Sequence, residues 1–338
     1  MNPAAKQAIE RVAVIGAGAW GTALATVARR AGRAVALWAH EADVAAAIAA
    51  ERENAIYLPG VAIDPAISVT NELTRAVGGA EAILLAVPAQ HLRAIVMEMA
   101  GALPGAAPIM ICAKGIERGT LKLMSEVVAE CAPGAKLAVL SGPTFAAEVA
   151  RGLPTAVTLA CAEAELGAPL VAAIGTATFR PYLGDDPIGA QIGGAVKNVV
   201  AIACGIVEGR GLGENAGAAL MTRGLAEIMR LGAALGAKRE TLMGLSGLGD
   251  LSLTCNSEQS RNMSLGIALG RGWPLDQAIG AKRSIAEGVA SAESVSDLAA
   301  KLGVDMPIVN SVDGILHHFA DLDATIAALL ARPFKQEN

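Results

Sequence analysis

Aromatic side chains are scarce in this sequence: three tryptophans, two tyrosines and four phenylalanines in 338 residues. A core without them is built from Ala, Val, Leu and Ile packed closely with small residues. Charge is thin as well, at 17% of residues, with a formal net charge of −5 and an isoelectric point near 5.5. That balance excludes a general electrostatic affinity for nucleic acid or anionic lipid, so an anionic ligand has to be bound locally. Cys112, Cys131, Cys161, Cys204 and Cys255 show no C-x-x-C spacing and no adjacent histidine. They read as buried thiols of a reducing cytoplasm, and no metal site is expected. The uncharged run 12–28 follows Lys6 and Arg11 as the apolar part of an export leader does, but Gly16, Gly18 and Gly21 punctuate it as strand, turn and helix. No other run reaches the ~18 apolar residues of a membrane span. What the chain has in plenty is glycine, 38 in all, which points to close backbone approaches. Its length gives two domains that bury about three-quarters of the unfolded surface.

In the first half, short β-rich apolar runs alternate with Ala-rich helical stretches, the pattern of βαβ units on a parallel sheet. Strands are expected at 11–15, 34–38, 82–87, 109–113 and 137–140, with 156–159 and 178–182 extending the sheet. Most are apolar throughout, as strands covered on both faces are. After Asp185-Asp186-Pro187 the pattern changes: 188–207 reads as one buried helix, and 216–235, 261–270, 275–279, 291–301 and 311–316 as further helices. The division falls at residue 187, giving an α/β domain over 1–187 and an all-helical domain over 188–338.

Gly16-Ala17-Gly18-Ala19-Trp20-Gly21 follows the first strand directly and opens a helix. This is the dinucleotide-binding fingerprint: Gly16 for the tight turn, Gly18 for backbone approach to a pyrophosphate, Gly21 for packing of helix on strand. The pyrophosphate then lies on the helix N-terminus, where free N–H groups and the dipole favour negative charge. The first domain is therefore expected to be a Rossmann-type, doubly wound, mostly parallel sheet. Its second strand ends Leu37-Trp38-Ala39-His40, without the usual acid for a ribose 2′-hydroxyl. His40 favours a 2′-phosphate and hence NADP, while Glu41 one position on serves NAD; the reading leans to NADP.

Oxidation of a secondary alcohol needs a base, and the four histidines offer little: His91 follows Pro88 in a helical segment and His317-His318 lie near the C-terminus. Lys197 stands mid-helix between Gly194-Ala195-Val196 and Asn198-Val199. Burial there depresses an ammonium pKa toward neutrality, as an alcohol base requires, and the small residues one turn earlier leave room for substrate. The alternative is a lysine reaching the helix edge. Gly247-Leu248-Gly249-Asp250 reads as a tight turn that aims Asp250 at Lys197, with Thr254 following. Ser260-Arg261-Asn262 reads as a capped helix start, where an arginine fork, a hydroxyl, an amide and free N–H groups make a phosphate site, or else as an ordinary cap with a solvated arginine. At the sheet edge, Lys114 offers a charge to substrate or cofactor, and Gly142, Thr144 and Ala146 offer donors near a nicotinamide.

These motifs together resemble the bacterial NAD(P)-dependent glycerol-3-phosphate dehydrogenases nearly end to end. The resemblance is carried by Gly-Ala-Gly-Ala-Trp-Gly-Thr-Ala-Leu-Ala from Gly16, Leu-Ser-Gly-Pro-Thr-Phe-Ala from Leu140, Gly-Ala-Val-Lys-Asn-Val from Gly194, Gly-Leu-Gly-Asp-Leu from Gly247 and Ser-Arg-Asn from Ser260. It implies a cytoplasmic enzyme that reversibly reduces dihydroxyacetone phosphate to sn-glycerol 3-phosphate for phospholipid synthesis. It further implies Lys197 as general acid/base, with Lys114, Asp250 and Thr254 around the reacting carbon. Ser260, Arg261 and Asn262 would hold the phosphate, and Ala19, Trp20, His40, Ala146, Arg261, Ile285 and Glu287 would contact cofactor. Nothing in the local pattern at Ser284-Ile285-Ala286-Glu287-Gly288 leads to that last assignment. The chain departs from many members at Ala19, where they carry Ser, and at Gly217, where they carry a basic residue that nearby Arg210 could replace. A homodimer is compatible with so apolar a helical domain. Two other functions fit parts of the pattern: a lysine-based dehydrogenase of hydroxy acids, of the 6-phosphogluconate or ketopantoate type, and a catalytically silent NAD(P)-binding sensor.

Overall fold

The glycine-punctuated run near the N-terminus forms strand, turn and helix, and the rest of a sheet assembles around it. The computed structural model describes residues 8–105, 107–280 and 286–333. Ten strands occur among them, all before residue 187: β1 (Arg11–Ile15), β2 (Ala34–Trp38), β3 (Glu53–Asn54), β4 (Leu58–Ala62), β5 (Ser68–Thr70), β6 (Ala82–Leu85), β7 (Ile109–Ile111), β8 (Leu137–Ser141), β9 (Thr155–Ala160) and β10 (Phe179–Gly184). Eight make one sheet in the order β10-β9-β8-β7-β6-β1-β2-β5. Every pairing in it is parallel except β8 with β9. From β1 the chain winds outward through β2 to β5, then returns to β6 on the other side of β1. That reversal leaves a crevice at the carboxyl ends of β1 and β6, where open α/β sheets bind ligands.

The uniformly apolar strands are explained by two cores, one on each face of the sheet. Val12, Val14, Leu84 and Met110 join one, whereas Ala13, Ile15, Ile83, Leu85, Ile109 and Ile111 join the other. The hairpin of β3 and β4 and the edge strand β5 are additions to the strands expected from sequence. Two-residue β3 and three-residue β5 are too short to carry periodicity, and Pro59-Gly60 inside β4 reads as a turn.

Beyond the sheet, helix Pro187–Gly209 is the axis of the second domain. Asp186 accepts from Gly189 N at 2.8 Å and Pro187 takes the first helical position, so the Asp-Asp-Pro segment is a capped helix start. Every residue from Gly189 to Ile206 is buried. By length and composition this helix would also span a membrane, contrary to the expectation of no such run, yet 94% of its most apolar window is covered by the protein itself. Helices Glu214–Ala234, Asp250–Cys255, Arg261–Gly270, Glu287–Leu302 and Pro307–His317 surround it. Arg239–Leu242 and Leu322–Leu330 are short helices that the sequence pattern did not disclose. Four of the five cysteines are buried as expected, but Cys131 is only half-buried, with its sulfur 3.7 Å from Arg93.

Candidate active site

The fingerprint turn has the backbone its glycines permit. Gly16 has φ +111° and donates to the carbonyl of Trp38 at 3.1 Å. A Cβ at Gly21 would lie 1.7 Å from the carbonyl oxygen of Gly16, so helix Ala19–Arg30 sits directly on the turn. A Cβ at Gly18 would meet nothing within 4 Å, and no side chain caps the helix there. Open space thus faces uncapped N–H groups, the fit a pyrophosphate requires. Asn54 of β3 secures the turn: its Nδ2 donates to Ala17 O at 2.8 Å and to the hydroxyl of Thr22 at 2.9 Å.

The other candidate cofactor residues flank this opening. Trp20 and Ala146 pack against the same sheet-face core, and the buried Nε1 of Trp20 has no partner among the described residues. His40 is exposed just past β2, its ring edge-on to Trp38 with centroids 5.6 Å apart, and Glu41 is exposed beside it at the N-cap of helix Ala42–Glu51. Ile285 lies outside the described residues.

Lys197 lies at the junction of sheet and helical domain, buried at 6% exposure. It does not reach for the helix edge: Nζ donates to Asp250 Oδ1 at 2.6 Å and to Thr254 Oγ1 at 2.9 Å. Thr254 gives its own proton to the carbonyl of Asp250 at 2.6 Å, so its oxygen is left to accept from the lysine. The second oxygen of Asp250, which is wholly buried, accepts from Lys114 Nζ at 2.7 Å, and Lys114 also reaches Gly142 O at 3.3 Å. One carboxylate is shared by two ammonium groups. Loss of hydration pushes Lys197 down to about 8; Lys114 adds to that, while Asp250 and Glu287 oppose it.

Asp250 arrives differently from the expected tight turn. A π-helical turn, Leu245–Gly249, runs straight into helix Asp250–Cys255. Gly247 serves close approach, since a Cβ there would lie 1.9 Å from the carbonyl oxygen of Leu242. Helix Arg261–Gly270 starts as expected, with Ser260 Oγ accepting from Met263 N at 3.2 Å. Asn262 is more committed than anticipated: Nδ2 donates to Asn198 Oδ1 at 2.9 Å and Oδ1 accepts from Gly288 N at 3.0 Å. Ser260 retains its hydroxyl proton and Asn262 one amide proton to give. Arg261 is exposed and its guanidinium makes no hydrogen bond among the described residues.

Glu287, first residue of helix Glu287–Leu302, is half-exposed by area, but loss of hydration still raises its carboxyl; Arg261, Lys114 and Lys197 pull the other way. The segment without a local signature therefore lies among the site's charges. Gly142 has φ +151°, and Thr144 turns its hydroxyl back to Gly142 O at 3.4 Å. The neighbouring Ser141 Oγ, buried and without a partner among the described residues, faces Gly194, where a Cβ would stand 3.0 Å away. Sequence reasoning passed over Ser141 and Asn198, although both stand inside quoted motifs. Arg210 is engaged elsewhere, pairing with Asp323 at 3.0 Å, and Gly217 faces open space. A concavity of about 450 Å³ among Arg11, Gly79, Glu81 and Pro104 opens at the opposite, amino ends of β1 and β6.

Residues 11–167 match the family model of the NAD-dependent glycerol-3-phosphate dehydrogenase N-terminus, and residues 186–327 that of the C-terminus. The chain is 59% identical to glycerol-3-phosphate dehydrogenase, NAD(P)+, of Rhodospirillum rubrum over 98% of its own length and 95% of the relative's. It is 55% identical to the protein of that name in Parvibaculum lavamentivorans, over 98% and 99%. The crystal structure of glycerol-3-phosphate dehydrogenase from Coxiella burnetii, 40% identical, superposes with a TM-score of 0.93 over 96% of this chain and 99% of that one.

Proposed function

The chain belongs to the NAD-dependent glycerol-3-phosphate dehydrogenase family, and from that premise we propose how its own residues carry the reaction. The enzyme interconverts dihydroxyacetone phosphate and sn-glycerol 3-phosphate, using NAD or NADP. The observation that carries the site assignment is the shared Asp250 carboxylate, which pins Lys197 and Lys114 together at the carboxyl edge of the sheet.

Neutral Lys197 takes the proton of the C2 hydroxyl during oxidation, and its ammonium returns one to the ketone oxygen during reduction. Asp250 and Thr254 fix the direction of Nζ in both states. Lys114, already oriented by Asp250 and Gly142 O, faces the negative charge that develops on the C2 oxygen. Arg261, Ser260, Asn262 and the first N–H groups of helix Arg261–Gly270 hold the substrate phosphate, with Gly142 and Thr144 on the sheet side. The dinucleotide, when bound, supplies or accepts the hydride at C2. Gly16, Gly18, Ala19, Trp20 and Gly21 hold its phosphates, while His40, Ala146, Ile285, Glu287, Lys114 and Arg261 contact its other parts.

NADPH is the preferred form in this reading, because His40 is the side chain presented just past β2. We place the cofactor domain at 1–187 and the substrate domain at 188–338. The enzyme is cytoplasmic and its product feeds glycerophospholipid synthesis. A homodimer, with which so apolar a helical domain is compatible, is part of this reading, and sedimentation velocity tests it. The reaction is tested by following nicotinamide absorbance with purified protein and dihydroxyacetone phosphate, NADPH and NADH in parallel. Fast oxidation is expected with either, faster with NADPH; turnover confined to carboxylate substrates would move the assignment to the hydroxy-acid dehydrogenases.

A further inference from the structure

The loop after β7 brings Lys114 to Asp250, and the same loop is gripped from outside the site. Gln90 Nε2 donates to Ile116 O at 2.9 Å while its Oε1 accepts from Arg118 N at 3.0 Å, so one amide brackets Glu117 on both sides. Arg93, on helix Leu92–Ala100, donates Nε and Nη2 to the two oxygens of Glu117 at 2.8 Å each. The hydroxyl of Thr120 donates to the same carboxylate. Glu117 is 9% exposed, and the Arg93 guanidinium holds its carboxyl below the usual range. Gly115 is seated against the preceding helical turn, where a Cβ would lie 2.7 Å from that of Ala89. Arg118 continues the chain of contacts to Glu293 of helix Glu287–Leu302 at 2.7 Å.

With the Arg93 side chain 31% exposed, this ion pair is weak support for stability, but a two-pronged one is strongly directional. What this fork directs is the chain three residues after Lys114. We propose that the Arg93–Glu117 fork, with Gln90, is a positioning device for the reaction: it holds the Lys114 loop so that Lys114 Nζ stays on Asp250, and so sets the charge that faces Lys197. The inference rests on reading Lys197 as the acid/base. Asp250 and Thr254 hold Lys197 from one helix and Lys114 stands beside them from this loop, while Glu287, with Arg261 acting on it, and the Cys255 thiol interact electrostatically with the lysine. If Lys114 drifts away, a like charge leaves and Asp250 is no longer shared. Both changes tighten the hold of Lys197 on its proton.

The test is kcat/KM for sn-glycerol 3-phosphate oxidation against pH in Arg93→Lys and Glu117→Gln, each alone and combined with Lys114→Ala, with NADPH affinity and melting temperature for every variant. Each single variant is expected to lose about tenfold in kcat/KM at neutral pH, to shift the inflection to higher pH, to lower NADPH affinity no more than Lys114→Ala does, and to add no loss on top of Lys114→Ala. An unmoved inflection, or a loss of equal size in the Lys114→Ala background, overturns the proposal. Glu117→Gln keeps the side chain's shape and answers the question if Arg93→Lys fails to fold. Turnover surviving in Lys197→Ala would instead overturn the acid/base reading; an inactive Lys197→Ala beside an unshifted Arg93→Lys profile overturns the fork alone.

Discussion

A buried lysine keeps its proton only as long as its neighbours make the charge tolerable, and at Lys197 the balance tips near neutrality because burial outweighs Asp250. With the ammonium pushed down to about 8, kcat/KM for alcohol oxidation should rise with pH and level off above that value. Ketone reduction, which needs the proton, should be level below it and fall above. An oxidation profile flat across that range removes Lys197 from proton transfer. Arg261→Ala should raise KM for dihydroxyacetone phosphate about 10- to 100-fold, since a charge-assisted bond to phosphate is worth roughly 1.5 to 3 kcal/mol; an unchanged KM relocates the phosphate site. Lys197 and Asp250 stood out as candidates because a charge inside an apolar helix, or beside glycines at a helix start, contradicts its surroundings, and Arg261 because it follows the cap residue Ser260 at a helix start. Glu287 was not, because its meaning comes from Arg261, Lys114 and Lys197, brought to it only by the fold.

Among elements, the fingerprint turn was readable because its three glycines obey separate steric rules, and those rules come apart by mutation. At Gly21 a methyl group collides with the carbonyl oxygen of Gly16 at 1.7 Å, so Gly21→Ala should displace helix Ala19–Arg30 and lower the melting temperature. At Gly18, with φ −67° and open space, Gly18→Ala should leave the melting temperature unchanged and weaken NADPH binding roughly tenfold or more. Calorimetry and fluorescence titration separate the two, and equal damage to both properties in both variants would contradict the division of labour. The β3–β4 hairpin behind the turn escaped sequence reading. Asn54 matters through Ala17 and Thr22, far from it along the chain, and a two-residue strand has no period to detect.

Across the whole molecule, charges bind the parts that apolar packing alone would leave free to slide. Lys114 to Asp250 ties the sheet to the helical domain, and within the helical domain Glu227 ties helix Glu214–Ala234 to helix Pro307–His317. The carboxylate of Glu227, 1% exposed, accepts from Ile308 N at 2.8 Å and Val309 N at 3.2 Å. Burial nevertheless pushes its carboxyl up to about 7, against the pull of those two amides. An acid whose folded value is raised holds extra protons in the folded state, so its stabilising contribution is complete below the unfolded value near 4.5 and is lost as pH rises through about 7. Comparison with Glu227→Gln, which cannot titrate, isolates this effect from every other carboxylate. The difference in unfolding free energy, wild type minus variant, should fall by roughly 2 to 3 kcal/mol between mildly acidic and mildly alkaline pH in urea titrations. A difference constant with pH would mean that the helix N-terminus keeps Glu227 ionised throughout, making it a permanent cap on Ile308 and Val309 instead of a titrating one.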